Sequence, residues 1–185
     1  MKQCGDDITV LYPLFQEENG GSIPTSPLQL NLIVISPRLA GELNRLWHSV
    51  LPETILFNIQ GGICYGAEYQ EKWYAVAIWT KPIAANRLKD GDKMLELRRL
   101  AIADNAPKNT ASRMLSIMRK LIKKRFPDIK KLISYQAEEH HTGTIYKAAG
   151  WSAVAKSDYA RWHPGEIRNP AQTISSKIRW EIELL

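Results

Sequence analysis

The sequence is poor in cysteine and has no long apolar run, and both absences narrow the class of protein. Two cysteines, Cys4 and Cys64, occur in 185 residues, which is too few for a disulfide framework and is typical of a protein of the reducing cytoplasm. No apolar stretch approaches the roughly 20 residues that a membrane-spanning helix needs. The N-terminus is interrupted by acids and Pro13 and does not have the pattern of a signal peptide. We therefore expect a cytoplasmic protein that does not span a membrane.

The charge is moderately positive, and the composition is that of an ordinary globular domain. Lys and Arg number 25 against 19 Asp and Glu, which gives a net charge of +6. This balance favours anionic partners such as CoA phosphates or nucleic acid without distinguishing between them. Residues 1–28 contain NGGSIPTSP and lack a sustained apolar period, so we interpret them as a flexible leader. Residues 29–185 are predicted to form a single domain.

From Leu30 onward the apolar pattern predicts ten strands and helices. The run LQLNLIVIS indicates a buried strand, and Ser36 with Pro37 marks a helix start whose apolar positions continue to Val50 before Pro52. Two strand-like runs around Gln70 and Glu71 predict an antiparallel hairpin. The complete order is strand, helix, three strands, helix, strand, helix, strand, strand. It predicts an α/β fold whose mixed, mostly antiparallel sheet carries helices on both faces.

The segment LELRRLAIADNAPKNTASRML is predicted to run from a strand through a polar loop into a helix, and its loop contains no glycine. A strand, a polar loop and a helix start often hold a phosphate, since the first helical amides are free and the helix dipole is positive there. Glycine normally lets such a loop approach its ligand. Asn109 is the non-glycine residue type that best tolerates a left-handed backbone. The alternative is that Asn109 or Thr110 only caps the helix.

The element order, this loop and a tyrosine in the later short helix resemble the GNAT superfamily of acyl-CoA-dependent N-acyltransferases over residues 30–185. LELRRLAI with PKNTAS, then SYQAEEHHTGTIYKAAGW and a terminal KIRWE, resemble a phage and mobile-element branch. That branch is similar to the Mom-type proteins, which modify adenine in phage DNA. The resemblance implies a GNAT-like fold with acetyl-CoA or a related acyl-CoA as cosubstrate, and DNA as a further partner.

GNAT proteins hold the CoA pyrophosphate on a loop of the form Gln/Arg-x-x-Gly-x-Gly/Ala. The matching positions are Ala106, Asn109 and Ala111, so the basic or amide residue is missing and asparagine replaces the first glycine. The resemblance also implies strand amides around Leu100 that bind the oxyanion of the tetrahedral intermediate. The implied cofactor-binding residues are Leu100, Ala101, Ile102, Lys108, Asn109, Thr110, Ala111, Ser112 and Arg113.

The resemblance implies that Tyr146 is the general acid that protonates the departing thiolate, and a core aromatic residue is the alternative. A carboxylate on the strand of Glu96 often serves as base in GNAT enzymes. Mom-type proteins instead point to Arg99, Ser112, Gln136 and Tyr146, although an acid commonly stands where Gln136 does. Glu96 and Arg98 share a strand face, and Arg99 points away unless a bulge intervenes. The catalytic candidates are therefore Tyr146, Arg99, Glu96 and Gln136.

A loop of about twenty residues, DYARWHPGEIRNPAQTISS, supplies two candidate substrate-binding residues. Trp162 and Arg168 suit stacking on an extruded base and holding its phosphates, although the loop could equally be a packed lid. The basic helix run RKLIKKR is interpreted as a solvated face. His140 and His141 are adjacent and cannot converge on one ion from regular structure, so no metal site is predicted.

The leading hypothesis is a GNAT-type N-acyltransferase of the Mom-like kind that acts on adenine in DNA. The alternatives are an N-acetyltransferase of a small-molecule or protein amine, and a catalytically degenerate GNAT fold that only binds nucleic acid. The sequence leaves the acyl group, the acceptor and the oligomeric state open.

Overall fold

The computed structural model describes residues 23–48, 62–82, 93–157 and 176–184. Within these ranges the strands form one seven-stranded sheet in the order β1-β2-β3-β4-β5-β7-β6. The strands are Asn31–Ile35 (β1), Ile63–Tyr69 (β2), Lys72–Thr80 (β3), Met94–Ile102 (β4), Lys131–Ala137 (β5), Ser152–Ser157 (β6) and Lys177–Glu183 (β7). The α-helices are Pro37–Trp47 (α1), Thr110–Arg125 (α2) and Thr144–Ala148 (α3), and a short 3-10 helix covers Pro27–Gln29. This confirms the predicted order of elements.

The β2–β3 hairpin turns at the two predicted residues. Gln70 and Glu71 have φ angles of 49° and 63°, and the pairing closes with Tyr69 opposite Lys72. Two successive left-handed residues give the turn whose twist matches that of the flanking strands. The backbone N–H of Glu71 donates to the Glu68 carboxylate, which holds the turn in place without glycine.

The sheet is antiparallel except between β4 and β5, as predicted. β3 pairs with β4 antiparallel, and α2 then crosses over so that β5 runs parallel to β4. Strand β7 inserts between β5 and β6 and is antiparallel to both. The only parallel pair of the described sheet therefore lies at its centre, beside the start of α2.

Helices cover both faces of the sheet, which also confirms the prediction. α1 begins at Ser36, whose side chain accepts a hydrogen bond from the N–H of Leu39. It packs on one face through Ala40 and Leu43. On the other face, α2 buries a stripe at helical spacing against the aromatic residues of the sheet. That stripe consists of Met114, Leu115, Met118 and Ile122.

The first strand differs from the prediction of a buried element. β1 lies at the edge of the described sheet, where Ile33 and Val34 are 42% and 49% exposed. An unbroken apolar run does not show how many neighbours a strand has, so the prediction of burial was wrong. The helix that follows also ends earlier than predicted, at Trp47, and its Leu46 is exposed. Val50 and Pro52 lie outside the described residues. In the described part of the chain, no helix is long and apolar enough to cross a membrane.

Candidate active site

A cleft opens where the two parallel strands separate. β4 and β5 pair from Met94 opposite Lys131 to Leu97 opposite Ser134, and no pairing between them follows. Beyond this point lies a cleft of about 190 Å³, closed by the end of α1 and the loop before α3. Its walls are formed by His48, Leu97, Arg98, Arg99, Leu100, Tyr135, Gln136, His141, Thr142, Gly143, Thr144, Ile145 and Tyr146.

The separation leaves strand amides of β4 directed at the cleft. The N–H of Ala103 donates to the Tyr74 carbonyl on β3 over 2.9 Å. Because N–H groups alternate sides along a strand, the amide of Ala101 also points to β3, whereas those of Leu100 and Ile102 point to the open side. Two of the three strand residues predicted to stabilise an oxyanion thus present their amides where β5 has moved away.

A β-bulge brings Arg99 to the same face of the sheet as Glu96. Arg99 pairs with Ile78 and Leu97 pairs with Trp79, so Arg98 is an extra residue in β4. This is the bulge on which the orientation of Arg99 depended. A guanidinium nitrogen of Arg98 lies 3.1 Å from the Glu96 carboxylate. Arg98 and Arg99 line the cleft, whereas Glu96 is buried behind them.

Cationic and neutral nitrogen groups meet at one wall of the cleft. Burial, and then the charge of Arg98, lower the pKa of Arg99 to about 10, while Glu96 opposes the shift. The pKa of His48 falls to about 4 through burial and then through the charges of Arg99 and His141. At neutral pH the positive charge of this wall therefore comes from the arginines, with His48 as a neutral imidazole.

The lowered pKa of His48 predicts a loss of stability on acidification. An unfolded chain protonates this histidine near its ordinary pKa of about 6.5, whereas the folded chain accepts the proton only near pH 4. Stability is therefore lost as the pH falls from about 6.5 toward 4. For a half-exposed ring we expect about 1 kcal/mol, since solvent screens the charges. Urea unfolding at pH 7 and pH 5 measures it.

The matched comparison is His48→Gln against His140→Gln. The first variant should lose less stability than the natural chain between the two pH values. His140 lies on the exposed loop before α3, where its charge contributes to the lowered pKa of His141, and its replacement should change the pH dependence less than that of His48. If stability depended on pH equally in all three proteins, the loss of stability could not be assigned to His48.

Tyr146 lies where β4 and β5 separate, and three side chains contact it. Its hydroxyl lies 2.8 Å from that of Ser134. Its ring stacks on Trp180, with 5.2 Å between centroids and planes 14° apart, and meets Trp151 edge-on at 5.7 Å. Burial raises the pKa of the phenol, and the hydrogen bond with Ser134 opposes that shift. The side chain is both a core aromatic residue and a wall of the cleft, so the two alternatives for it are not exclusive.

Gln136 holds the loop before α3 and the ring on which Tyr146 stacks. Its side-chain oxygen accepts a hydrogen bond of 2.7 Å from the indole N–H of Trp180. Its side-chain nitrogen donates to the His141 carbonyl. Both ends of the amide thus have protein partners. Gln136 therefore holds the residues of the site in place through these two hydrogen bonds. Its catalytic role stays a prediction.

The loop before α2 has the left-handed asparagine that the sequence suggested. Asn109 has a φ of 67° and makes no side-chain capping bond. No backbone partner within the described residues accepts from the N–H groups of Ala111 and Ser112, as the first turn of a helix requires. Thr110 is buried and its hydroxyl donates to the Pro107 carbonyl, so it faces inward. Lys108 is exposed on the loop.

A groove of about 360 Å³ runs from this loop along α2. It is lined by Asn109, Ser112, Arg113, Ser116, Ile117, Lys120 and Ala148. The Nε of Arg113 is buried and has no hydrogen-bond partner within the described residues. Two free amides, a helix dipole and two cations therefore meet at one groove, which suits a phosphate ligand.

Four site residues were not found from the sequence. His48, Ser134, Gly143 and Trp180 reach the cleft, or the residues that form it, through strand pairing and loop packing. The last three lie within the segments SYQAEEHHTGTIYKAAGW and KIRWE, but nothing in those segments assigned a role to them. The predicted substrate-binding residues Trp162 and Arg168 lie outside the described residues. Within the described ranges no three His, Cys, Asp or Glu side chains are grouped as metal ligands.

The comparisons with known proteins agree with this geometry. The model of the Mom protein family matches residues 59–181. The crystal structure of a Bacillus subtilis acetyltransferase in complex with CoA is 15% identical, covers 84% of this chain and 99% of its own, and superposes with a TM-score of 0.60. A GNAT family acetyltransferase from Elizabethkingia anophelis with acetyl-CoA bound is 16% identical, with coverages of 84% and 98% and a TM-score of 0.56.

A third solved structure contains a polyamine. The spermidine N-acetyltransferase from Vibrio cholerae in complex with CoA and spermine is 13% identical, covers 85% of this chain and 96% of its own, and has a TM-score of 0.59. No curated protein matches the chain. At these identities the structures establish a GNAT fold, which confirms the predicted fold class.

Proposed function

The chain belongs to the Mom protein family, and on that premise we propose that it transfers an acyl group from acyl-CoA to adenine in DNA. The observation that supports this most strongly is that β4 and β5 stop pairing at Leu97 and Ser134, and that the Tyr146 hydroxyl lies at this point. A thioester placed in the cleft would have backbone amides of β4 on one side and the Tyr146 hydroxyl on the other. These are the two kinds of group that acyl transfer needs at the oxyanion and at the leaving sulfur.

The start of α2 supports acyl-CoA as the cosubstrate. Asn109 takes the left-handed conformation that a glycine normally supplies, and Ala111 and Ser112 offer free amides beside Arg113. Two similar acetyltransferase structures hold CoA or acetyl-CoA. We propose that the pyrophosphate binds at these amides and that the groove along α2 takes the rest of the nucleotide.

The positive charge of the cleft supports an acceptor amine that belongs to a negatively charged molecule such as DNA. Arg98 and Arg99 form part of the wall, and the chain carries a net charge of +6. A cationic wall repels a protonated polyamine, whereas it attracts a phosphate backbone that carries a neutral exocyclic amine. We propose that Trp162 and Arg168 contribute to holding the base, as their residue types suggest.

Replacing Ser112 with aspartate tests the cosubstrate site. A carboxylate in the first helical turn is favourable for the helix dipole but repels a pyrophosphate at the same amides. Acetyl-CoA at about 100 times its Kd should stabilise the natural chain by about 2.7 kcal/mol, measured by thermal denaturation. Ser112→Asp should lose most of this gain. The matched variant Ser112→Asn has nearly the same shape without the charge and should keep it.

Mass spectrometry of DNA nucleosides from cells that produce the protein tests the acceptor. We expect a modified adenine nucleoside with the natural chain and with Ser112→Asn, and a strong reduction with Ser112→Asp. Unmodified nucleosides from soluble protein that binds acetyl-CoA would contradict DNA as the acceptor and favour a small-molecule or protein amine. Salt-dependent DNA binding without any stabilisation by acetyl-CoA would instead indicate a fold that only binds.

A further inference from the structure

Ser134 is buried at the last paired position of the parallel strands, and its hydroxyl contacts two groups of different function. One is the Tyr146 hydroxyl at 2.8 Å, and the other is the Leu97 carbonyl at 3.5 Å. Since 2.8 Å is the usual length of a hydroxyl–hydroxyl bond and 3.5 Å is a long contact, the bond with Tyr146 is the stronger one. The hydroxyl thus lies where the sheet ladder ends and the cleft begins.

The pairing of β5 with β7 places the two closest partners of Tyr146 side by side. Ser134 pairs with Trp180, so one cross-strand pair supplies both the hydroxyl that binds the phenol and the ring that stacks beneath it. Directly paired side chains lie on the same face of a sheet. The phenol is therefore fixed in position by the ring and in direction by the hydroxyl.

On the basis of the proposed function, we infer that Ser134 is a positioning residue that donates its hydroxyl proton to the Tyr146 oxygen and thereby directs the phenol proton into the cleft. The Ser134 hydroxyl has a single proton. When it points to Tyr146, the phenol has no need to donate to Ser134 and can donate to a ligand in the cleft. When the proton points to Leu97, Ser134 can accept from the phenol, which withdraws the phenol proton from the cleft.

The proposed reaction moves the acyl group from sulfur to nitrogen. The amine attacks the thioester carbonyl, a C–N bond forms, and the tetrahedral intermediate breaks its C–S bond with the electron pair leaving on sulfur. Tyr146 gives its proton to that sulfur, and the resulting phenolate is stabilised by the Ser134 hydroxyl. The proton lost from the attacking nitrogen goes to water, and the phenolate regains a proton from water when the thiol departs.

The test measures the acidity of the phenol directly, so it does not depend on catalysis. The probe is 3,5-difluorotyrosine incorporated at position 146 alone, since fluorine makes the phenol more acidic and gives a single ¹⁹F signal to follow against pH. Ser134→Ala should raise the pKa of this residue by about one unit, because a hydrogen bond to the charged form is lost. Ser134→Thr keeps the hydroxyl on a strand-forming residue and should restore the lower value.

Kinetics with two kinds of thioester give the second readout. With acetyl-CoA, Ser134→Ala should lower kcat about tenfold, corresponding to one pKa unit, with little change in KM. With an aryl thioester, whose thiolate needs no proton to leave, the loss should be much smaller. A residue with a merely structural role would lower both rates equally.

The two readouts separate the inference from the function on which it rests. An unchanged phenol pKa in Ser134→Ala overturns the role of Ser134, whatever the enzyme does. A raised pKa that Ser134→Thr reverses supports it, even in a chain that transfers no acyl group and so fails the proposed function. Equal kinetic losses with both thioesters would also overturn it.

Discussion

Replacing Gly143 with alanine is expected to lower the free energy of unfolding by about 3 to 5 kcal/mol, since a left-handed backbone and a steric clash both oppose the new side chain. Gly143 has a φ of 73°, and a Cβ built there would lie 2.4 Å from Cζ2 of Trp180 and 2.6 Å from Oε1 of Gln136. Both neighbours are fixed by their own hydrogen bond, so neither can retreat cheaply. Equilibrium urea unfolding measures the loss.

Gly150→Ala separates the two contributions. This glycine follows the same short helix with a φ of 78°, and nothing lies within 4 Å of a Cβ at its position. Its replacement should cost only the backbone term, about 1 to 2 kcal/mol. Similar losses in the two variants would show that Trp180 and Gln136 do not pack against Gly143 as the structure places them.

Local patterns were sufficient to predict most of the fold. The helix start at Ser36 and the hairpin at Gln70 and Glu71 depend on residues close in sequence, and the structure confirms both. The edge position of β1 depends on which strands flank it, a property that its own composition does not contain. For the same reason the sequence could state only conditionally where Arg99 points, because a bulge is a property of the pair of strands.

The site shows the same division between local and long-range information. The resemblance to the GNAT loop matched Asn109 to a glycine position within one contiguous segment, and its φ of 67° agrees. Ser134 became visible only through its register with Trp180, which is 46 positions away by residue number (180 − 134) and paired across β5 and β7. When a serine lies in an apolar strand, the sequence does not indicate whether its hydroxyl donates a proton to a functional group or only occupies space in the core.

Gln136 illustrates how a packing role can explain a residue that departs from the family pattern. An acid commonly stands at this position in Mom-type proteins, by resemblance, whereas this chain has an amide. The amide donates to the His141 carbonyl while it accepts from the Trp180 indole. A carboxylate could only accept, and would leave that carbonyl facing a negative charge. In this chain we therefore expect the proton chemistry to depend on Tyr146.

Tyr146→Phe is expected to lower kcat for acyl transfer from acetyl-CoA by about 10²- to 10⁴-fold, the usual contribution of a general acid. The KM for acetyl-CoA should change by less than about threefold, since the hydroxyl acts on the leaving sulfur and not on the bound nucleotide. Phenylalanine keeps the stack on Trp180 and the edge contact with Trp151. The loss of one hydrogen bond to Ser134 should therefore cost only about 1 kcal/mol of stability.

The control is Tyr74→Phe, which removes the hydroxyl of another buried tyrosine, on β3 and outside the cleft walls. It should leave kcat near that of the natural chain. An aryl thioester should recover much of the rate in Tyr146→Phe, because its thiolate leaves without a proton and the missing acid no longer matters. A large loss of rate in Tyr146→Phe that is the same for both thioesters would assign the phenol to positioning, and a kcat unchanged with acetyl-CoA would remove it from the reaction altogether.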